Sequence, residues 1–231
     1  MAIVILVRHG RTTANAAGVL AGRAKGVELD EVGRAQAATT AERLAAVPLV
    51  GVVSSPLIRC RQTAAAVLER QEGSPAAPLE DGITECDYGD WQGRPLKELA
   101  KEPLWSIVQT QPSAAVFPSG ESMAGMQARS VATIRRLDAA FAAQHGPNAA
   151  WVAVSHGDII KSVLADALGV HLDLFQRISV GPASVSIIRY GPHRPEVIAT
   201  NTDGGDLSWL RGTNSAPDAD APVGGGAGHV K

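Results

Sequence analysis

The sequence predicts an α/β fold in which helices cover both faces of a mainly parallel central sheet. Three short apolar runs each lead into polar residues, and they lie at positions 3–7, 49–53 and 151–154. Runs of this length and composition are typical of strands buried on both faces of a sheet. Helical patterns separate them. Because strands that alternate with helices form parallel sheets, this order predicts the class of fold.

Four helices are expected, and each has a start or stop signal in the sequence. Asp30 suits an N-cap, Ser55-Pro56 suits a cap followed by proline in the first turn, and Gly169 suits the residue after a helix end. The expected helices span residues 30–47, 55–70, 122–144 and 158–168. Their alternation with the strands supports a sheet that is covered on both sides.

The remaining segments complete the expected domain organisation. Residues 184–190 and 196–200 are apolar runs on either side of a Gly-Pro turn and predict a hairpin. Residues 80–120 mix Gly, Pro, Trp and charged residues and predict a cap inserted over the sheet. One α/β domain is therefore expected over residues 1–211. Residues 212–231 have almost nothing apolar to bury and are expected to be disordered.

Composition argues against several classes of protein. The chain has 231 residues, of which 45% are hydrophobic and 19% are charged, and this composition is ordinary for a globular protein. Its formal net charge of −2 does not suggest a nucleic-acid or membrane-surface binder. Cys60 and Cys86 lack the spacing of a zinc site or a disulfide framework. The apolar N-terminal run lacks a basic segment before it, and no run approaches the length of a membrane span. A cytoplasmic location is expected.

Residues that could bind an anion follow each of the three expected parallel strands. They are Arg8, His9 and Gly10 after the first run, Ser54, Ser55 and Arg59 after the second, and Ser155, His156 and Gly157 after the third. Ligands bind at the carboxyl ends of the strands in open α/β sheets, so two arginines and two histidines converge there. Arginine forks and helix N-termini both favour a tetrahedral anion. The pattern predicts a phosphoryl-binding site.

Several motifs in fixed order carry a resemblance to a known family. They are residues 8–15 (RHGRTTAN), 29–37 (LDEVGRAQA), 54–64 (SSPLIRCRQTA), 83–93 (ITECDYGDWQG), 120–122 (GES) and 154–157 (VSHG). Together they resemble the histidine phosphatase superfamily, which has the phosphoglycerate-mutase-like fold. The resemblance extends to about residue 200.

The resemblance implies a role for each matching residue. His9 would be the nucleophile that becomes phosphohistidine. Arg8, Arg59 and His156 would hold the phosphoryl oxygens and offset charge in the transition state. Glu85 would protonate the leaving oxygen and then activate water. The arginines would supply the charge that a metal supplies elsewhere, so no metal or cofactor is expected.

The resemblance also implies a substrate-binding set in the same region, made of Arg8, Asn15, Arg59, His156 and Gly157. In this set Asn15 would donate to the phosphoryl group. A small phosphorylated metabolite is the expected partner, and a homodimer would be ordinary for the family. Tyr88 and Trp91 are expected to pack, and Glu121 and Ser122 are expected to begin a helix.

Three alternatives to a hydrolase are compatible with parts of this sequence. A mutase of this family has arginine and histidine where this chain has Cys86 and Asp87, which cannot clamp a second acidic group. A non-catalytic phospho-ligand-binding relative would have lost one of the key side chains. A zinc hydrolase built on His9 and His156 lacks a third and fourth ligand. The hydrolase interpretation is therefore preferred.

The physiological substrate is left open by the sequence. Selectivity is expected to reside in the cap, whose apolar residues either line the pocket or form the cap's own core; they are Pro103, Leu104, Trp105 and Phe117. Ala21 stands where several relatives place a polar residue that touches substrate. That departure argues against transferring any one substrate.

Overall fold

The computed structural model describes residues 2–73 and 75–208. Its centre is a five-stranded sheet whose strands are β1 (Ile3–Arg8), β2 (Leu49–Ser54), β3 (Ala150–Ser155), β4 (Val185–Tyr190) and β5 (Pro195–Thr202). The spatial order is β2-β3-β1-β4-β5. The tail predicted to be disordered, residues 212–231, lies outside the described residues, as do residues 209–211 of the expected domain.

The three strands nearest the predicted site run parallel. β3 pairs in parallel with both β1 and β2, whereas β4 pairs antiparallel with β1 and β5 pairs antiparallel with β4. The predicted α/β sheet is confirmed, and so is the hairpin, at slightly different bounds. Because β1, β2 and β3 run in the same direction, their carboxyl ends meet at one edge.

Seven α-helices surround the sheet in the described part of the chain. They are α1 (Thr13–Ala17), α2 (Glu31–Leu44), α3 (Ile58–Leu68), α4 (Leu96–Leu99), α5 (Pro103–Thr110), α6 (Met123–His145) and α7 (Gly157–Ala167). One core cluster joins the sheet to α2 and α3, and a second joins it to α6 and α7. Helices therefore cover both faces. No helix in the described ranges is long and apolar enough to cross a membrane.

The ends of α2 show what the sequence could and could not predict. Asp30 is the N-cap, as predicted, and its carboxylate accepts a hydrogen bond from the Gly33 N–H at 2.7 Å. The predicted end at residue 47 is wrong. The helix ends at Leu44, and the Val47 N–H donates to the Leu44 carbonyl in a tight turn. That turn buries Val47 in the core.

The predicted start of the second helix, at Ser55-Pro56, is also wrong. α3 begins at Ile58, and its N-cap, Leu57, provides no side-chain hydrogen bond. The hydroxyl of Ser55 instead lies 2.8 Å from Nε2 of His156. Ser55 therefore lies before the helix and does not cap it, and its shortest side-chain contact is with a distant residue.

The region over residues 80–120 consists of short elements. Besides α4 and α5 it contains three 3₁₀ turns, at Asp81–Ile83, Gly89–Trp91 and Pro112–Ala114. Trp91 stacks on Trp105 with ring centroids 6.2 Å apart, and the buried Phe117 meets Trp91 edge-on at 5.3 Å. These rings pack in the same core cluster as α6 and α7. The aromatic residues of this region are therefore part of the core that it shares with α6 and α7.

Candidate active site

Two histidines and one arginine lie close together at the carboxyl ends of the parallel strands. His9 follows β1, His156 follows β3, and Arg59 lies in the first turn of α3, which follows β2. The His9 N–H donates to the Ser155 carbonyl at 3.0 Å, which ties the two strand ends together. As a result, the rings of His9 and His156 lie 5.2 Å apart between centroids. All three side chains are buried.

His9 has a defined tautomer. Its Nδ1 lies 2.7 Å from the Gly10 carbonyl, which can only accept, so Nδ1 carries the proton. Its Nε2 accepts a hydrogen bond from Nε of Arg59 at 3.2 Å. Burial lowers the pKa of His9 well below its ordinary value, and the charges of Arg59 and Arg8 lower it further. The ring is therefore neutral, with the lone pair of Nε2 directed toward Arg59.

Arg59 connects most of the site. Besides the bond to His9, its Nη2 donates to the Gly22 carbonyl at 2.7 Å and lies 3.3 Å from Nδ1 of His156. Its Nη1 is buried and has no hydrogen-bond partner among the described residues. The same is true of Nε of Arg8, whose Nη1 donates to the Val180 carbonyl at 2.7 Å. Two buried cationic donors thus require an acceptor, which a phosphoryl oxygen would provide.

His156 is held in the opposite tautomer. Because Nδ1 accepts from Arg59, its Nε2 carries the proton and donates to Oγ of Ser55. Burial lowers the pKa of His156 well below its ordinary value, and the charge of Arg59 acts in the same direction. Sγ of Cys60 lies 3.4 Å from the same Nε2, and burial raises the pKa of this thiol to about 12. Cys60 is therefore a neutral packing neighbour.

Glu85 reaches the site from the inserted region. Its carboxyl group is buried, with Oε2 3.9 Å from Nδ1 of His156 and Oε1 accepting from the Cys86 N–H at 2.9 Å. Burial raises the pKa of Glu85 to about 7, and the nearby charge of Asp158 contributes. A carboxyl with this pKa can donate a proton and take one back near neutral pH.

The two remaining residues of the predicted substrate-binding set, Asn15 and Gly157, lie in the first turns of two helices. Oδ1 of Asn15, in α1, accepts from the N–H and the hydroxyl of Thr12 at 3.1 and 2.9 Å, which leaves the Nδ2 group to donate elsewhere. Gly157 is the first residue of α7. A side chain there would begin 3.5 Å from the guanidinium carbon of Arg8. That distance is an ordinary van der Waals contact, so Arg8 lies directly beside the N-terminus of α7.

Sequence reasoning missed several polar groups that support these residues. The hydroxyl of Tyr88 donates to Asp158 at 2.7 Å, so this residue has a polar role besides packing. Arg23, Glu121 and Arg129 form an ion-pair network beside Glu85. The GES motif pointed to Glu121, but no pattern in the sequence indicated which arginines it would meet. Within the described residues, no group of three or more His, Cys, Asp or Glu side chains could hold a metal ion.

The fold and this arrangement define an α/β protein with a buried, cationic site at the carboxyl ends of its parallel strands. A family model described as histidine phosphatase superfamily (branch 1) matches residues 4–203. The chain therefore belongs to the histidine phosphatase superfamily, and the predicted family is confirmed.

Curated relatives and solved structures agree with this assignment. The chain is 29% identical over 217 residues to the glucosyl-3-phosphoglycerate phosphatase of Mycolicibacterium vanbaalenii, covering 89% of this chain and 91% of the relative. It is 34% identical over 165 residues to the adenosylcobalamin/alpha-ribazole phosphatase of Salmonella typhimurium, covering 71% of this chain and 78% of the relative. A mycobacterial glucosyl-3-phosphoglycerate phosphatase in complex with VO3 superposes with a TM-score of 0.77 at 25% identity, covering 87% of this chain and 99% of that one.

Proposed function

We propose that this protein is a metal-independent phosphomonoester hydrolase that forms a phosphohistidine on His9. The observation that carries the proposal is the neutral Nε2 of His9, which accepts from Arg59 beside two buried guanidinium N–H groups that have no partner among the described residues. A nucleophile with an unprotonated ring nitrogen thus adjoins donors suited to a phosphoryl group.

In the first step, Nε2 of His9 attacks phosphorus while the bond from phosphorus to the leaving oxygen breaks. Glu85 gives its proton to that oxygen, so an alcohol departs and Glu85 becomes a carboxylate. Charge on the phosphoryl oxygens is offset by the substrate-binding set of Arg8, Asn15, Arg59, His156 and Gly157. The Nδ1–H of His9 keeps its hydrogen bond to the Gly10 carbonyl throughout, which holds the ring in place.

In the second step, the Glu85 carboxylate takes a proton from water, and the water oxygen attacks phosphorus. The phosphorus–nitrogen bond breaks, phosphate is released, and both His9 and Glu85 return to their starting states. A carboxyl whose pKa is about 7 suits both directions of transfer.

Hydrolysis is favoured over phosphoryl transfer to a second acidic substrate. Cys86 is fully buried in the core, and the carboxylate of Asp87 lies 3.6 Å from the guanidinium of Arg23. Neither position offers a cation for a second phosphate. The named phosphatase relatives support a small phosphorylated metabolite as the substrate.

The proposal extends to the wider organisation of the protein. One α/β domain up to residue 211, with its cap at residues 80–120, accords with the single sheet and its two flanking core clusters. A reducing, cytoplasmic setting accords with Cys60 and Cys86, which are both free and buried. A homodimer stays a prediction.

The direct test follows hydrolysis of p-nitrophenyl phosphate in excess chelator by wild type, His9→Ala and a matched control, His193→Ala. His193 is exposed in the β4–β5 turn. We expect wild type and His193→Ala to turn over in chelator and His9→Ala to lose essentially all activity. Acid-labile phosphate should be trapped on wild type and on His193→Ala but not on His9→Ala. Activity that disappears in chelator, or that survives in His9→Ala, would contradict the proposal.

A further inference from the structure

We propose that Glu121 is a positioning residue that holds the general acid Glu85 in place through Arg23 and Arg129. The inference rests on the proposed function, in which Glu85 protonates the leaving oxygen. Oε1 of Glu121 accepts from Nη2 of Arg23 at 3.1 Å and from Nη2 of Arg129 at 2.6 Å, and its Oε2 accepts from Nε of Arg129 at 3.0 Å. One carboxylate therefore joins two guanidinium groups, one of them by a bidentate pair.

Both arginines act on the backbone of Glu85. Nε of Arg23 and Nη2 of Arg129 donate to the Glu85 carbonyl at 2.8 and 3.1 Å. Glu121 also accepts from the Asp87 N–H at 2.8 Å. The chain is thus held on both sides of Cys86 by groups that depend on a single carboxylate.

The side chain of Glu85 needs this support because it has little of its own. The hydrogen-bond partner of its carboxyl group is the N–H of the next residue, Cys86. The position of the Glu85 carboxyl group therefore depends on the position of its own backbone. A shift of about 1 Å in a reacting group can cost about a hundredfold in rate.

The same network relates the acid to the phosphoryl-binding arginine. Arg23 follows Gly22, whose carbonyl accepts from Nη2 of Arg59 at 2.7 Å. Arg129 also donates to the Gly82 carbonyl at 2.9 Å, which anchors the start of the segment that carries Glu85. Although partial burial opposes it, hydrogen bonds from Arg129 and Asp87 lower the pKa of Glu121, so it stays anionic when Glu85 titrates.

The experiment compares Glu121→Gln with wild type on two esters that differ in their need for an acid. An alkyl phosphate needs its leaving oxygen protonated, whereas p-nitrophenyl phosphate has a stable leaving anion. The ratio kcat/KM is measured because it reports the step in which the leaving group departs. We expect kcat/KM to fall about 30-fold for the alkyl ester and less than about threefold for the aryl ester.

A double variant separates positioning from general structural damage. Glu85→Gln/Glu121→Gln should lose no more alkyl-ester activity than Glu85→Gln alone, because Glu121 acts through Glu85. Arg23→Gln removes one donor to the Glu85 carbonyl, keeps the Glu121–Arg129 pair, and should show the same ester selectivity if Glu121→Gln folds poorly. Glu102→Gln, which breaks the Arg94 pair at 2.6 Å in the same region, is the matched control and should show no selectivity.

The outcomes distinguish this inference from the proposed function. Equal losses on both esters, or additive losses in the double variant, would show that Glu121 only stabilises the fold and would overturn the inference while leaving the hydrolase intact. If wild type hydrolysed neither ester, the proposed function itself would fail, and the inference would fall with it.

Discussion

Nε of Arg59 donates a hydrogen bond to Nε2 of His9 across 3.2 Å, at a point where both side chains are buried. This contact has two consequences. It requires that Nε2 carries no proton, so the ring proton lies on Nδ1, which donates to the Gly10 carbonyl. It also places a positive charge beside the imidazole, which opposes protonation of the ring. One side chain therefore both orients the proposed nucleophile and keeps it neutral.

Replacing Arg59 by lysine should be severe although the charge is kept. A lysine ammonium cannot contact His9, the Gly22 carbonyl and His156 together in the planar geometry of a guanidinium. We expect kcat/KM for p-nitrophenyl phosphate to fall by about 10² to 10³. Steady-state kinetics on folded protein checks this. Arg61→Lys, on the exposed side of the same helix, is the control and should behave as wild type.

The His9 ring should stay neutral at pH values where an ordinary histidine is charged. Burial and the charges of Arg59 and Arg8 all lower its pKa. In ¹⁵N-edited NMR spectra we expect the ring to show a protonated Nδ1 and a bare Nε2 at pH 6, with signals assigned by their loss in His9→Ala. A ring that is doubly protonated at that pH would contradict this account of the nucleophile.

The pH dependence of hydrolysis should report Glu85. The acid must be protonated to aid the leaving oxygen, and burial raises its pKa to about 7. For an alkyl phosphate, kcat/KM is therefore expected to be high below this pH and to fall about tenfold per pH unit above it. Glu85→Gln should remove that descending limb together with most of the activity. A limb that persisted in Glu85→Gln would have to belong to another group.

The raised pKa of Glu85 also predicts that this residue lowers the free energy of unfolding at alkaline pH. Because its folded-state pKa is raised from 4.5 to about 7, the folded protein binds this proton more tightly than the unfolded chain does. The resulting stability is complete below the unfolded value and is lost as the pH rises through about 7. At about pH 8.5, Glu85→Gln should melt a few degrees above wild type. At about pH 4 the two melting temperatures should converge, and thermal scans at both pH values measure the difference.

Local sequence patterns predicted much of the framework. Continuous apolar runs indicated β1, β2 and β3, since strands buried on both faces must be apolar along their whole length. Asp30 and Ser122 were identified as helix starts, and both cap a backbone N–H three residues later. A cap depends on a few adjacent residues, so it can be read without knowing the fold.

Ser55 shows where local patterns failed. Serine before proline indicated a helix start, yet its hydroxyl lies 2.8 Å from Nε2 of His156, a residue 101 positions away. The competing partner arrives only when β2 and β3 pair side by side. When a side chain has two possible hydrogen-bond partners, the tertiary fold determines which of them lies close enough to bond.

The sequence by itself therefore determined the class of fold, the strand ends that carry His9 and His156, and the family to which the chain belongs. Only the tertiary structure decided the tautomers of the two histidines, the raised pKa of Glu85 and the link from Glu121 through two arginines to the Glu85 carbonyl. The reason is physical. Periodicity and caps reflect neighbours along the chain, whereas desolvation and charge reflect neighbours in space that come from distant segments.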